Sequence, residues 1–206
     1  IWIPLDGGPR TILAAAQRAG QSIVITPAAV FYVTGGDVDR KIPDSVVRVP
    51  TSGGKPVKVG KTFLFADAGL ATDGDSLYFG EPRDKANRVM RLPIAGGKAT
   101  ELASTVNDAV RLFAVDGLHV YWLASSKILK VAKSGGTASE LAQGTNVWGM
   151  ASNGAHLYWT DKGDGKANGT VRRVPVAGGP VETLASGLTL PWGIAVDSTH
   201  AYWVTN

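Results

Sequence analysis

Two dipeptides recur along this chain in step with each other. Aromatic pairs stand at Phe31-Tyr32, Tyr78-Phe79, Tyr121-Trp122, Tyr158-Trp159 and Tyr202-Trp203, at intervals of 47, 43, 37 and 44 residues. Glycine pairs stand at Gly7-Gly8, Gly53-Gly54, Gly96-Gly97, Gly135-Gly136 and Gly178-Gly179. Each glycine pair follows a short β-type run, as in VVRVPTSGG, VMRLPIAGG and VRRVPVAGG. A glycine pair between two such runs marks a hairpin, because the turn needs a positive φ that a Cβ opposes. A period this regular constrains the fold more than any propensity does.

The fourth repeat shows the unit. GMAS reads as a first strand, Asn153-Gly154 as a turn, HLYWT as a second strand, VRRVP as a third and VETLA as a fourth. No segment longer than one turn keeps a capped 3.6-residue period, so the chain is expected to be all-β. Four short strands in every ~40–45 residues are the mark of a β-propeller with four-stranded antiparallel blades.

The two ends of the sequence complement each other. The last residues, GIAVDSTHAYWVTN, read as strands one and two of a repeat, and IWIPLDGGPRTILAA at the start reads as strands three and four. Joined, they make one blade, which protects the sheet edges of a closed ring. The expectation is a single five-bladed domain over 1–206, with blades at about 21–61, 62–105, 106–144, 145–188 and 189–206 plus 1–20. Across that junction the glycine-pair spacing is 35 residues, against 39 to 46 elsewhere. The alternative is a piece of a longer chain that shares a blade in an assembly.

These residues resemble a known family. HLYWTDKGDG carries a full YWTD tetrapeptide at Tyr158–Asp161, and LPWGIAVDSTHAYWVTN is similar to the P-x-G-I-A-V-D…YW phrase of YWTD (low-density-lipoprotein-receptor-like) and NHL-type propellers. The resemblance covers nearly the whole chain, although YWTD is complete once only and the YWTD receptors have six blades. It implies a propeller fold, and a range of functions from receptor module and scaffold to lactonase and lyase. The repeat style also resembles exported bacterial proteins, so an extracellular or periplasmic location is expected.

Composition narrows the functional classes. With no cysteine, the chain has no disulfide, no thiolate metal site and no thiol nucleophile. The 21 Lys and Arg outnumber 17 Asp and Glu, but the basic residues are scattered, with Arg40-Lys41 and Arg172-Arg173 the largest groups and no basic face of a nucleic-acid binder. The longest nearly apolar run, 23–33, is too short for a membrane helix and is interrupted by Thr26 and Pro27.

Candidate ligand contacts come from topology. In a propeller the first strands line the central channel, and the positions just before them ring its mouth: Gln21, Ala68, Arg111, Trp148 and Trp192. Trp148 and Trp192 on adjacent blades, with Arg111 beside them, form a candidate stacking platform. Asp67, Asn107, Asp108 and Asn146 in the linkers are further polar candidates.

The three histidines, His119, His156 and His200, share one repeat position, H-x-Y-W. A shared zinc ion is rejected, because neighbouring sheets stand ~10 Å apart and zinc ligands must converge within ~2.1 Å. Asp73, Asp116, Asn153 and Asp197 end the first strands and read as Asx ties for the following turn. The loops GGDVDRKIPD and TDKGDGKANG match no calcium-loop spacing and read as solvated turns.

No nucleophile elbow, phosphate loop or acid–base pair emerges. The leading expectation is a non-catalytic binding or scaffold propeller, without metal or cofactor, recognising a protein or a carbohydrate at the channel mouth. The alternative is a lactonase- or lyase-like enzyme using Asp67, Asp108 and Asn146.

Overall fold

The structure is a computed structural model and describes residues 20–34, 44–62, 69–81, 86–106 and 108–206. Every regular element among them is a strand. Blade one is β1 (Gly20–Ile25), β2 (Ala29–Thr34), β3 (Asp44–Pro50) and β4 (Val57–Thr62). Blade two is β5 (Ala71–Thr72), β6 (Ser76–Glu81), β7 (Asn87–Pro93) and β8 (Thr100–Thr105). Blade three is β9 (Val110–Val115), β10 (His119–Ala124), β11 (Lys127–Ala132) and β12 (Ser139–Gln143). Blade four is β13 (Val147–Ser152), β14 (His156–Asp161), β15 (Gly169–Pro175) and β16 (Glu182–Leu188). Each is an antiparallel meander in chain order. The remaining β17 (Ile194–Val196) and β18 (Ala201–Trp203) form a two-stranded sheet. The first strands lie side by side, with β13 packed against both β9 and β17.

The glycine pairs turn the third strand into the fourth. In all four complete blades the N–H of the first glycine donates to a strand-end carbonyl, as from Gly178 to Pro175 at 2.9 Å. Gly178 and Gly179 have φ of 96° and 140°, values that a side chain would strain.

The second strands of blades two, three and four are buried on both faces. Of HVYWLA in β10, all but His119 are buried. The aromatic pairs divide by a simple rule. The first member faces the next blade and the second faces the previous one, since neighbouring residues of a strand point to opposite sides. Thus Tyr78 packs forward with Trp122, which points back from blade three. Tyr121 packs forward with Trp159, which points back from blade four. Phe31 and Phe79 meet in the same way between blades one and two. Trp122 and Trp159 are fully buried, so these layers are the hydrophobic core of the fold.

The rule leaves two open ends. Blade one shows Ile23 and Ile25 at 63% and 67% exposure. On the last sheet, Tyr202 and Trp203 are exposed rather than buried as their pair position predicts. Among the described residues, no sheet covers the forward face of β17–β18. The expected third and fourth strands of that blade, with Trp2, lie outside the described residues. No helix among the described residues is long and apolar enough to cross a membrane.

Candidate functional site at the upper edge

The first strands begin, and the second strands end, on one edge of the blades. The inner strands β1, β9 and β13 each break register near that start, and in β13 the break falls between Val147 and Gly149. Trp148 is therefore unpaired in a β-bulge, a device that re-aims a side chain out of the regular pleat. This corrects one expectation: Gln21, Arg111 and Trp148 lie within the first strands as their second residues, not just before them. Among the described ring positions, Trp192 precedes its strand, β17, and Ala68 lies outside the described residues.

The bulge brings the tryptophans together. Their ring centroids are 4.4 Å apart with planes at 73°, an edge-to-face pair. Trp148 is 38% exposed, whereas Trp122 and Trp159 are fully buried. The backbone sets this proximity. A Cβ at Gly149 would stand 2.7 Å from the Trp192 carbonyl oxygen and 2.9 Å from the Ile194 nitrogen, so only glycine allows the approach. The Thr160 hydroxyl donates to the same Trp192 carbonyl.

Asn146 organises the surroundings. Its Oδ1 accepts from the Trp148 indole N–H at 2.9 Å, and its Nδ2 donates to the Gly163 carbonyl at 2.9 Å. Its own carbonyl accepts from the Lys162 N–H at 2.9 Å. The 162–168 loop is thus clamped to the tryptophan pair. The buried Asp161 carboxylate adds a bond from the Thr145 N–H.

One residue of the site was not anticipated. Lys162 Nζ lies 4.1 Å from the Trp148 ring centroid and 4.2 Å from that of Trp192, within cation–π range of both. The signal for it was the hairpin register. Val147 pairs with Asp161, so the residue after YWTD must stand beside the start of the inner strand.

The other expected site residues divide. Arg111 is half-buried in β9, opposite Leu123. Asp108 serves its own linker: its carboxylate accepts from Ser125 at 2.5 Å, and its carbonyl accepts from Asn87 at 2.6 Å and Thr105 at 3.1 Å. Asp67 lies outside the described residues, as does the side chain of Gln21. Of the residues named for the enzyme alternative, Asp108 holds the Ser125 hydroxyl and Asn146 holds the Trp148 indole and the Gly163 carbonyl.

The opposite edge is built from the recurrent Asx residues. Asp116 Oδ1 accepts from the backbone N–H of Leu118 and of His119, both at 2.8 Å, and Oδ2 accepts from the Tyr121 hydroxyl. Asp73 and Asp197 repeat the pattern with Tyr78 and Tyr202. Burial works to raise the Asp73 carboxyl. Lys133, Tyr78 and two backbone N–H groups outweigh it and hold the group far below the usual carboxylate range. Asp116 is lowered against the same burial by Tyr121 and two N–H groups. Burial and then the partner carboxylate push Tyr78 and Tyr121 well above the usual phenol range. In blade four Asn153 takes the place, and its Nδ2 donates to the Tyr158 oxygen at 3.2 Å.

The histidines follow these tyrosines in register. Each ring tilts over the tyrosine two residues on, with centroids about 6 Å apart, as for His119 and Tyr121 at 6.0 Å. Each histidine stays within its own blade. Among the described residues, no three His, Asp or Glu side chains come together in a group that could hold a metal ion.

Architecture and site together define the class: the chain has a β-propeller fold. No protein-family model matches it, and no curated protein matches it in sequence. Solved structures do match. The chain is similar to a chain of the nidogen/laminin complex, with a TM-score of 0.60 at 22% identity, over 78% of this chain and 66% of that one. It is similar to TolB from Acinetobacter baumannii, with a TM-score of 0.62 at 15% identity, over 89% and 48%. It is also similar to an auxiliary nutrient binding protein from Bacteroides thetaiotaomicron, with a TM-score of 0.63 at 13% identity, over 88% and 55%. The chain spans about half to two thirds of the length of these structures.

Proposed function

We propose that the chain is a non-catalytic binding propeller that recognises a protein or a carbohydrate at the edge carrying Trp148 and Trp192. The observation that carries this reading is the tryptophan pair itself. Two indoles 4.4 Å apart, one of them 38% exposed, are held at a bulge by a glycine approach and by Asn146. Rigid, half-exposed aromatics with a few placed polar groups are what a binding surface needs. The named neighbours support the same class, since one structure is a complex with laminin and another is a nutrient binding protein.

The reading includes a five-bladed ring of the YWTD/NHL kind, completed by residues 1–20, and export from the cell. The aromatic rule supports closure: Tyr202 points forward and Ile23 and Ile25 point back, as complementary halves of one more interblade layer. The ligand-binding reading is tested on arrays of immobilised glycans and peptides, probed with the wild type and with Trp148→Ala/Trp192→Ala. The double variant is expected to lose at least about tenfold in binding to every retained ligand. Equal binding by both proteins overturns the platform.

A further inference from the structure

The tryptophan pair is already occupied. Lys162 projects from a stem fixed by its N–H bond to the Asn146 carbonyl, and its ammonium rests over both rings at nearly equal distance. Among the described residues, its ammonium is paired with ring faces rather than with a carboxylate. The negative faces of the two π systems are therefore the groups that hold the charge. The lysine lies over both rings, so a ligand that stacks on the covered faces must displace it.

We infer that this site takes the alkylammonium group of a ligand, and that Lys162 is its intramolecular competitor. The inference rests on the binding reading above and names the chemistry that the surface selects. A primary ammonium such as that of Lys162 is strongly hydrated and gives up water to sit on a ring. A quaternary ammonium has no N–H to solvate and is the better occupant of an aromatic site. The Lys162 backbone is fixed but its side chain is only half-buried, so the ammonium can turn out to solvent while Trp148 stays held by Asn146. The site would therefore read a quaternary ammonium, free or on a methylated lysine of a protein, with a threshold set by its own lysine.

The test titrates tetramethylammonium, choline, a trimethyl-lysine peptide and its unmodified counterpart by calorimetry. The neutral isostere 3,3-dimethylbutan-1-ol serves as the uncharged control. Removing the competitor in Lys162→Met is expected to tighten tetramethylammonium binding about two- to fivefold, the scale of an exposed cation–π contact. Lys162→Arg keeps a cation over the rings and should bind as the wild type does. Trp148→Ala should remove binding, and Lys162→Gln provides a second opened site if the methionine variant melts early. Tighter binding of choline than of the peptide points to a free ligand, and the reverse order points to a protein side chain.

Unchanged affinity in both opened variants, or equal binding of the neutral alcohol, overturns the ammonium inference. Array binding that still depends on Trp148 and Trp192 would then leave the wider binding reading standing. Array binding indifferent to both tryptophans would remove that reading instead.

Discussion

The Lys133 ammonium of blade three donates to the Asp73 carboxylate of blade two at 2.7 Å, tying the hairpin of one sheet to the turn of its neighbour. Both side chains are mostly buried, at 23% and 14% exposure, so solvent screens the pair less than a surface one. A double-mutant cycle with Asp73→Asn and Lys133→Met is expected to give a coupling of about 1 kcal/mol. Additive effects in urea unfolding would mean that the tie contributes nothing.

The same edge sets how stability depends on pH. Asp73, Asp116 and Asp197 are lowered from their ordinary 3.8 in the folded chain. In acid the unfolded chain therefore binds more protons, and stability present above that range is lost as pH falls through it. Tyr78, Tyr121 and Tyr202 are raised from 10.0, so their contribution is present below that pH and is lost as pH rises beyond it. The melting temperature should stay level from about pH 5 to about pH 9 and fall on both sides. Asp116→Asn should flatten the acid fall, as followed by circular dichroism.

Blade four offers the converse experiment. Asn153 makes the turn bonds to Ala155 and His156 but gives Tyr158 no carboxylate to donate to. Asn153→Asp is expected to add a charge-assisted bond of about 1 kcal/mol at neutral pH. That gain should vanish below about pH 3 as the new carboxylate is protonated. A variant as stable as the parent at both pH values would count against the Tyr–Asp bond as a source of stability.

Gly149→Ala tests how the tryptophans are placed. The new methyl group would meet backbone of the 192–194 segment, which cannot turn aside as a side chain can. A loss of about 1–3 kcal/mol is expected, together with weakened near-ultraviolet dichroism from the Trp148–Trp192 pair. Trp148→Ala at the exposed edge should cost far less than Trp159→Ala in the core, for which about 3–5 kcal/mol is expected. Equal costs would contradict the division between edge and core tryptophans.

Ring closure can be read with disulfides, because the chain has no cysteine of its own. Ile23→Cys with Tyr202→Cys should cross-link within a monomer if the two open faces meet, judged by mobility before and after reduction. Cross-links formed only between chains would show instead that another copy covers these faces.

Most of the architecture was legible because its signals are local. A glycine pair demands its turn, an Asx residue ties the N–H groups two and three residues on, and an aromatic pair must split between two faces. The expected strands of the fourth repeat appear as β13 to β16, and the recurrent Asx residues take the turn role read for them. What escaped depends on contacts between strands rather than on neighbours in the sequence. A bulge at Trp148 adds no residue type that marks it, so the tryptophan was placed outside its strand. Lys162 was lost in a polar loop, since its partners come from blade four and the segment before β17. Asp108 looked available for a ligand until Ser125, brought back by the β10–β11 turn with φ of 53°, took its carboxylate.

The forward-and-back rule of the aromatic pairs also makes every blade contact head-to-tail rather than two-fold symmetric. An arrangement of that kind has two outcomes: it closes on itself, or it keeps adding copies without limit. In the five-bladed ring proposed above, the exposed Ile23 and Ile25 at one end and Tyr202 at the other would meet as its last interblade layer. A chain prevented from closing would polymerise through them, so closing the ring would also protect the protein from forming filaments.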